Sequence, residues 1–188
     1  MYRALTYYAI KRKFISNSHF DKTKLIADIP NINIDFRNNL TNNNLEVHLN
    51  GISYENKIRS LEVSNLVSEI ATVDELRQQM VRVQHSLGFN KGVIMDGRDI
   101  GTVVFPDATF KFFLSADPKI RAERRHKQIN DKSVKLESIE EEIKSRDNTD
   151  STRKIAPLKK ADDAYEIDVT LLTIDQVFEK ILHKINSK

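Results

Sequence analysis

Residues 93–108 read VIMDGRDIGTVVFPDA, and the fold turns on how this stretch is taken. From Gly92 through Val93, Ile94 and Met95 the apolar residues do not alternate with polar ones, which predicts a strand buried on both faces of a parallel sheet. Ligands in such sheets sit at the carboxyl ends of the strands. Asp96 is therefore delivered to a place where a carboxylate can hold a metal-bound water near phosphates. Arg98 offers a planar fork suited to phosphate or to a base edge, and Asp99 offers acceptors for an amino group. An ordinary strand end closed by a polar turn, with Gly97 and Gly101 as turn residues, accounts for the same letters.

Downstream, the apolar run 110–115 predicts a second strand, followed by a helix from Asp117 to about Ile129. A longer helix runs from about Val134 into the 150s, a strand lies near Tyr165–Val169, and a helix from Ile174 to Ile185 closes the chain with Thr173 as N-cap. Strands alternating with helices indicate an α/β architecture. Upstream, helices are expected over 2–13, 20–28, 58–72 and 74–87. The last has Leu76, Met80, Val83 and Leu87 on one stripe, Asp74 near its start and Gly88 at its close. Between them the period changes. Ile32, Ile34 and Phe36 alternate with polar residues, as do Leu45, Val47 and Leu49, then Ile52 and Tyr54. Asn50-Gly51 between the last two runs is a strong hairpin signal. Residues 31–55 thus read as a three-stranded antiparallel meander, too small for a domain of its own and so an insertion.

Bulk properties narrow the function. The 188 residues, 39% hydrophobic, suffice for one buried α/β core with a small appendage. No apolar run is long enough to span a membrane. The basic cluster near the N-terminus follows the apolar residues rather than preceding them, unlike a secretory signal, so a cytoplasmic location is expected. The absence of cysteine excludes disulfides and thiolate metal sites, and the five histidines show no helical ligand spacing; no residue is assigned as a direct metal ligand. With 30 basic and 27 acidic residues, the net charge of +3 argues weakly for nucleic acid. The one basic concentration, 119–135, lacks a reading motif or stacking aromatics.

Two arginine patterns remain. In the helix after residue 133, Leu136, Ile139 and Ile143 form one core-facing stripe, and the same spacing continues to Arg146, Asp150 and Arg153. Either the helix end becomes solvated or it lines a polar cleft. Arg121, Arg124 and Arg125 fall at i, i+3 and i+4, where three guanidiniums repel one another unless an anion joins them. They are an exposed basic face or a flap that closes over a polyphosphate. Many arginines with no cysteine and no positioned histidine suit phosphoryl transfer, in which a protein mostly positions groups and neutralises charge.

At this point the chain resembles the bacterial cytidylate kinases of the nucleoside-monophosphate kinase fold. The resemblance rests on Tyr2-Arg3-Ala4-Leu5, Asp96-Gly97-Arg98-Asp99, the stretch Gly101 to Asp107, Arg146-Asp147 with Asp150 and Arg153, Ala156-Pro157-Leu158 and Ala161-Asp162. It implies a P-loop NTPase-like parallel sheet flanked by helices, with residues 1–30 and 56–188 as the core, a lid over about 117–133, and 31–55 as the antiparallel insertion. It further implies that Tyr2 and Arg3 contact the nucleotide monophosphate, Arg3 at its phosphate. Ser68 and Arg77 help hold cytosine and phosphate, and Arg98 and Asp99 read the cytosine edge. Arg146 and Asp150 form a pair in which the aspartate holds the sugar hydroxyl, and Arg153 joins the phosphate-binding arginines. Arg121, Arg124 and Arg125 cover the transferring group, and Asp96 lies near Mg²⁺. The implied reaction is ATP-dependent phosphorylation of CMP or dCMP by a monomer without nucleic-acid or membrane partners.

One departure bears on that expectation. Family members begin with a strand, a glycine-rich phosphate loop and a helix, and Met1 here matches an internal methionine. No G-x-x-x-x-G-K-[ST] occurs in the chain. The expectation is a sheet lacking its central first strand, with an acceptor site but no cradle for the ATP phosphates. A non-catalytic nucleotide-monophosphate-binding module is the alternative.

Overall fold

A computed structural model of the chain describes residues 1–41, 43–90, 92–129 and 134–187. The chain divides into two compact units, Met1–Val93 and Ile94–Lys188.

In the first unit, helix α1 (Tyr2–Lys11) buries Ala4, Leu5, Tyr8 and Ala9 on one side. It ends two residues before the expected limit, because Lys13 turns into the left-handed region at φ 58°. A small hairpin follows, β1 (Ile15–Ser16) and β2 (His19–Phe20), which the sequence pattern did not announce. Helix α2 (Lys22–Ala27) is shorter than expected at both ends; Asp21 caps it by accepting from the Lys24 N–H at 3.0 Å.

The meander forms β3 (Ile34–Asn38), β4 (Leu45–Leu49) and β5 (Ile52–Ser53), all antiparallel. Its register pairs Ile34 with Leu49 and Phe36 with Val47, so the alternating apolar positions face each other as the period of two requires. Asn50 and Gly51 carry positive φ at 50° and 81°, the geometry that a two-residue turn between twisted strands needs. Helices α3 (Leu61–Ile70) and α4 (Asp74–Gly88) follow, the former capped by the Ser60 hydroxyl on the Val63 N–H. Leu5, Leu25, Ile70, Leu76 and Met80 are the fully buried centre of this unit.

The second unit is leaner. A π-helical turn (Ile100–Val104) leads to β6 (Phe112–Ser115), α5 (Pro118–Gln128), α6 (Leu136–Thr152), β7 (Tyr165–Asp168) and α7 (Ile174–Asn186). β6 and β7 pair in parallel, Phe112 opposite Tyr165 and Leu114 opposite Ile167. Asp117 caps α5, and Thr173 with Gln176 forms a reciprocal capping box on α7. The fold is α/β with helices and small sheets.

Two strand expectations are corrected. Residues 93–95 form no strand, and Ile94 is fully exposed. An apolar run becomes a strand only when a neighbour accepts its backbone hydrogen bonds, and none among the described residues does so. Nor is β6 covered on both faces, as its apolar run suggests: Leu114 stays half exposed, and among the described residues β6 pairs with β7 alone.

Asp28 ties α1 to the turn after α2. It accepts from the Tyr8 hydroxyl at 2.6 Å and from the Asn31 amide at 2.6 Å, with Arg12 Nε 3.4 Å away. The Tyr8 bond first, then the Asn31 bond, holds its carboxyl below the ordinary carboxylate range. The unfolded chain therefore takes up a proton at this position before the folded one does. The resulting stability is complete above about pH 4 and drains away as pH falls through the folded value. Asp28→Asn should flatten the acid limb of a urea-midpoint-against-pH profile relative to wild type. Parallel profiles from pH 7 down to pH 3 would contradict this.

Candidate functional site

On the first unit, α1 and α3 bring together the candidates near the N-terminus. Arg3 Nη1 donates to Ser64 Oγ at 2.9 Å and to the Ile58 carbonyl at 3.2 Å. Ser68, half-buried, lies one helical turn beyond Ser64 on α3. Arg77 is almost wholly buried; its Nη1 donates to the Ala71 carbonyl at 3.1 Å and its guanidinium lies 5.6 Å from the Tyr2 ring centre. These oxygens and the aromatic face help to position the two guanidiniums.

On the second unit, α6 does what its stripe pattern suggests. Ile139 is buried at 1% exposure and Asp150, eleven residues on, at 3%. The core-facing line therefore continues inward as a carboxylate. Three guanidiniums surround it: Arg98 Nε at 3.0 Å, Arg153 Nη1 at 3.4 Å and Arg146 Nε at 3.7 Å. Arg153 Nε also donates to the Ala156 carbonyl at 2.8 Å, and the Leu158 N–H to the Asp150 carbonyl at 2.7 Å. Ala156 adopts φ 47°, a left-handed backbone that folds residues 153–158 back over the helix end. Three guanidiniums thus converge on one buried carboxylate, and guanidiniums are the side chains best suited to pairing with anionic oxygens.

The basic triplet behaves differently from the expectation of mutual repulsion. Arg121 pairs with Asp147 at 2.6 Å and donates to the Ala116 carbonyl at 3.0 Å; Arg125 faces Glu142 at 3.5 Å. Arg124 donates to the carbonyls of Val169, Thr170 and Leu172 at 2.8–3.1 Å. Carboxylates of α6 and carbonyls after β7 thus relieve the crowding without an added anion. Residues 130–133 of the expected lid lie outside the described residues. Asp96 is exposed, and Asp99 is buried with its carbonyl accepting the N–H groups of Thr102, Val103 and Val104.

The family model for cytidylate kinase matches residues 1–187. The chain belongs to the cytidylate kinase family. Relatives named cytidylate kinase agree along nearly the whole chain. That of Flavobacterium psychrophilum is 40% identical over 189 residues, covering 100% of this chain and 84% of its own length. That of Clostridioides difficile is 44% identical over 188 residues, covering 99% and 83%. That of Bacteroides thetaiotaomicron is 44% identical over 178 residues, covering 94% and 78%. A cytidylate kinase is a nucleoside-monophosphate kinase, so the transferase reading of the arginine inventory stands. No helix among the described residues is long and apolar enough to cross a membrane.

Ser64, Asp147, Lys111 and Asp163 have contacts at or near these groups and were not among the sequence candidates. Ser64 carried one usable signal: it precedes Ser68 by a helical turn on the same face.

Asp150 and Arg153 are both nearly buried, with side chains 4% and 6% exposed. Truncating one member of such a pair strands the other charge. Asp150→Ala should lower unfolding free energy by about 3–5 kcal/mol in urea titration. A loss under about 1 kcal/mol would show the arginines to be satisfied without it.

Proposed function

We propose that the chain carries the acceptor-nucleotide contacts of an ATP-dependent phosphorylation of CMP or dCMP to the diphosphate. The observation that supports it is the convergence of Arg98, Arg146 and Arg153 on buried Asp150. In this reading Arg3, Arg77 and Arg153 bind the monophosphate, with Tyr2 and Ser68 beside the nucleotide. Arg98 and Asp99 read the cytosine edge, where an acceptor at the exocyclic amino group favours cytosine over uracil. Arg146 steadies Asp150, whose carboxylate accepts from the sugar hydroxyl.

Phosphoryl transfer spreads negative charge over the equatorial oxygens of the moving group, and catalysis consists of positioning and charge stabilisation. Arg153 supplies positive charge from the acceptor side, and Arg121, Arg124 and Arg125 of α5 are assigned to the transferring group. For Arg121 and Arg125 this assignment requires exchange of their carboxylate partners, Asp147 and Glu142, for phosphate oxygens. Mg²⁺, when bound, neutralises phosphate charge; it takes one or two carboxylates with several waters. Exposed Asp96 suits holding one of those waters. The chain is read as a monomer in the cytoplasm, with residues 31–55 an insertion in its nucleotide-monophosphate-binding region, and with no nucleic-acid or membrane partner.

No segment of the chain reads G-x-x-x-x-G-K-[ST], so the cradle for the ATP phosphates is assigned to no residue here. The second reading kept beside the kinase one is a module that binds the monophosphate without transferring phosphate to it. Calorimetry decides between them and tests both. CMP should bind more tightly than UMP, and Arg98→Met should weaken CMP by about tenfold to a hundredfold. Binding of ATP as well favours the kinase, and CMP binding alone favours the module. Equal affinity for CMP and UMP would refute the base assignment.

A further inference from the structure

Lys111 stands just before β6, in an apolar run where a lysine side chain is ordinarily solvated. Its side chain is only 7% exposed. The ammonium donates to both carboxylate oxygens of Asp163, at 2.8 and 2.7 Å, and to the Pro106 carbonyl. Its own carbonyl accepts the Tyr165 N–H at 2.8 Å, where β7 begins. Its aliphatic stem packs on Gly101, where an added Cβ would stand 3.2 Å from Lys111 Cδ and 3.5 Å from Cγ. No larger residue fits there unless the stem moves.

These contacts fall at both ends of one structural unit. Gly101 lies inside the π-helical turn, and Pro106 lies just after it. The turn hangs from Asp99, whose carbonyl takes three N–H groups, and closes with the Phe105 N–H on the Ile100 carbonyl at 2.7 Å. Arg98 and Asp99 form its entrance. Val104 anchors the turn in the core, and the Lys111 ammonium adds a polar hold at Pro106; a π-helical turn is a geometry rare outside special sites.

The geometry points to Lys111 as a positioning residue for base selection, with Asp163 as its anchor. The buried ammonium fastens the π-helical turn to the start of the β6–β7 pair. In doing so it fixes the direction from which Arg98 and Asp99 meet the base. The inference rests on the proposed role of those two residues. Asp163 is 66% exposed, so its loss need not disturb folding; Lys111 carries the buried part of the pair.

The test uses the whole chain as wild type, Lys111→Met and Asp163→Asn. Hydrogen exchange at the amides of residues 102–105 is measured alongside calorimetry with CMP, UMP and ribose 5-phosphate. Both variants should exchange faster at these amides. The ratio of CMP to UMP affinity should fall roughly tenfold, the scale of one charge-assisted hydrogen bond, while ribose 5-phosphate affinity holds. Unchanged exchange, or an unchanged affinity ratio in both variants, overturns the proposal. So does an equal loss for all three ligands, which is what general destabilisation produces. A wild-type chain that fails to prefer CMP refutes the underlying base assignment and the proposal with it; a tether failure shows in the variants alone.

Discussion

A buried carboxylate with three arginines around it is the interaction on which the proposed nucleotide contacts of the second unit depend. A buried carboxylate needs partners, and clustered arginines repel unless an anionic group joins them. Each supplies what the other lacks. The stripe of α6 makes this possible, because Ile139 and Asp150 share a line along the helix and are both drawn inward. Arg146 and Arg153 come from the same helix and its cap, and Arg98 arrives from the turn after Asp96. Drawing two of the three arginines from one helix and its cap reduces the ordering a ligand must impose.

The first unit solves a related problem by other means. Arg77 is buried against a backbone carbonyl and the Tyr2 ring, and Arg3 against a serine hydroxyl and a carbonyl. Arg121 and Arg125 of α5 instead face the carboxylates of Asp147 and Glu142. A phosphate engaging those two must first displace the carboxylates.

Much of this was legible from local pattern. The continuation of Leu136, Ile139 and Ile143 into Arg146, Asp150 and Arg153 follows from helical spacing alone, and the Asn50-Gly51 turn from that dipeptide between two alternating runs. What stayed hidden depends on partners distant in sequence. The run at 93–95 has the composition of a buried strand, yet strand formation needs a neighbour, and Ile94 is left in solvent. The three carbonyls that receive Arg124 lie more than forty residues away and belong to backbone, which no side-chain pattern reveals. Lys111 falls inside the run 110–115 and drew no reading of its own; the Pro106 carbonyl and Asp163 that receive its ammonium lie outside that run.

The account is tested most directly by the arginine side chains themselves. In a nuclear magnetic resonance titration with CMP, the Nε–H signals of Arg98, Arg146 and Arg153 should move together and saturate with one common Kd. Those of Arg12 and Arg37, exposed on the first unit, should stay still. Three unmoved signals, or three unrelated Kd values, would contradict the claim that a single anionic nucleotide engages the Asp150 cluster.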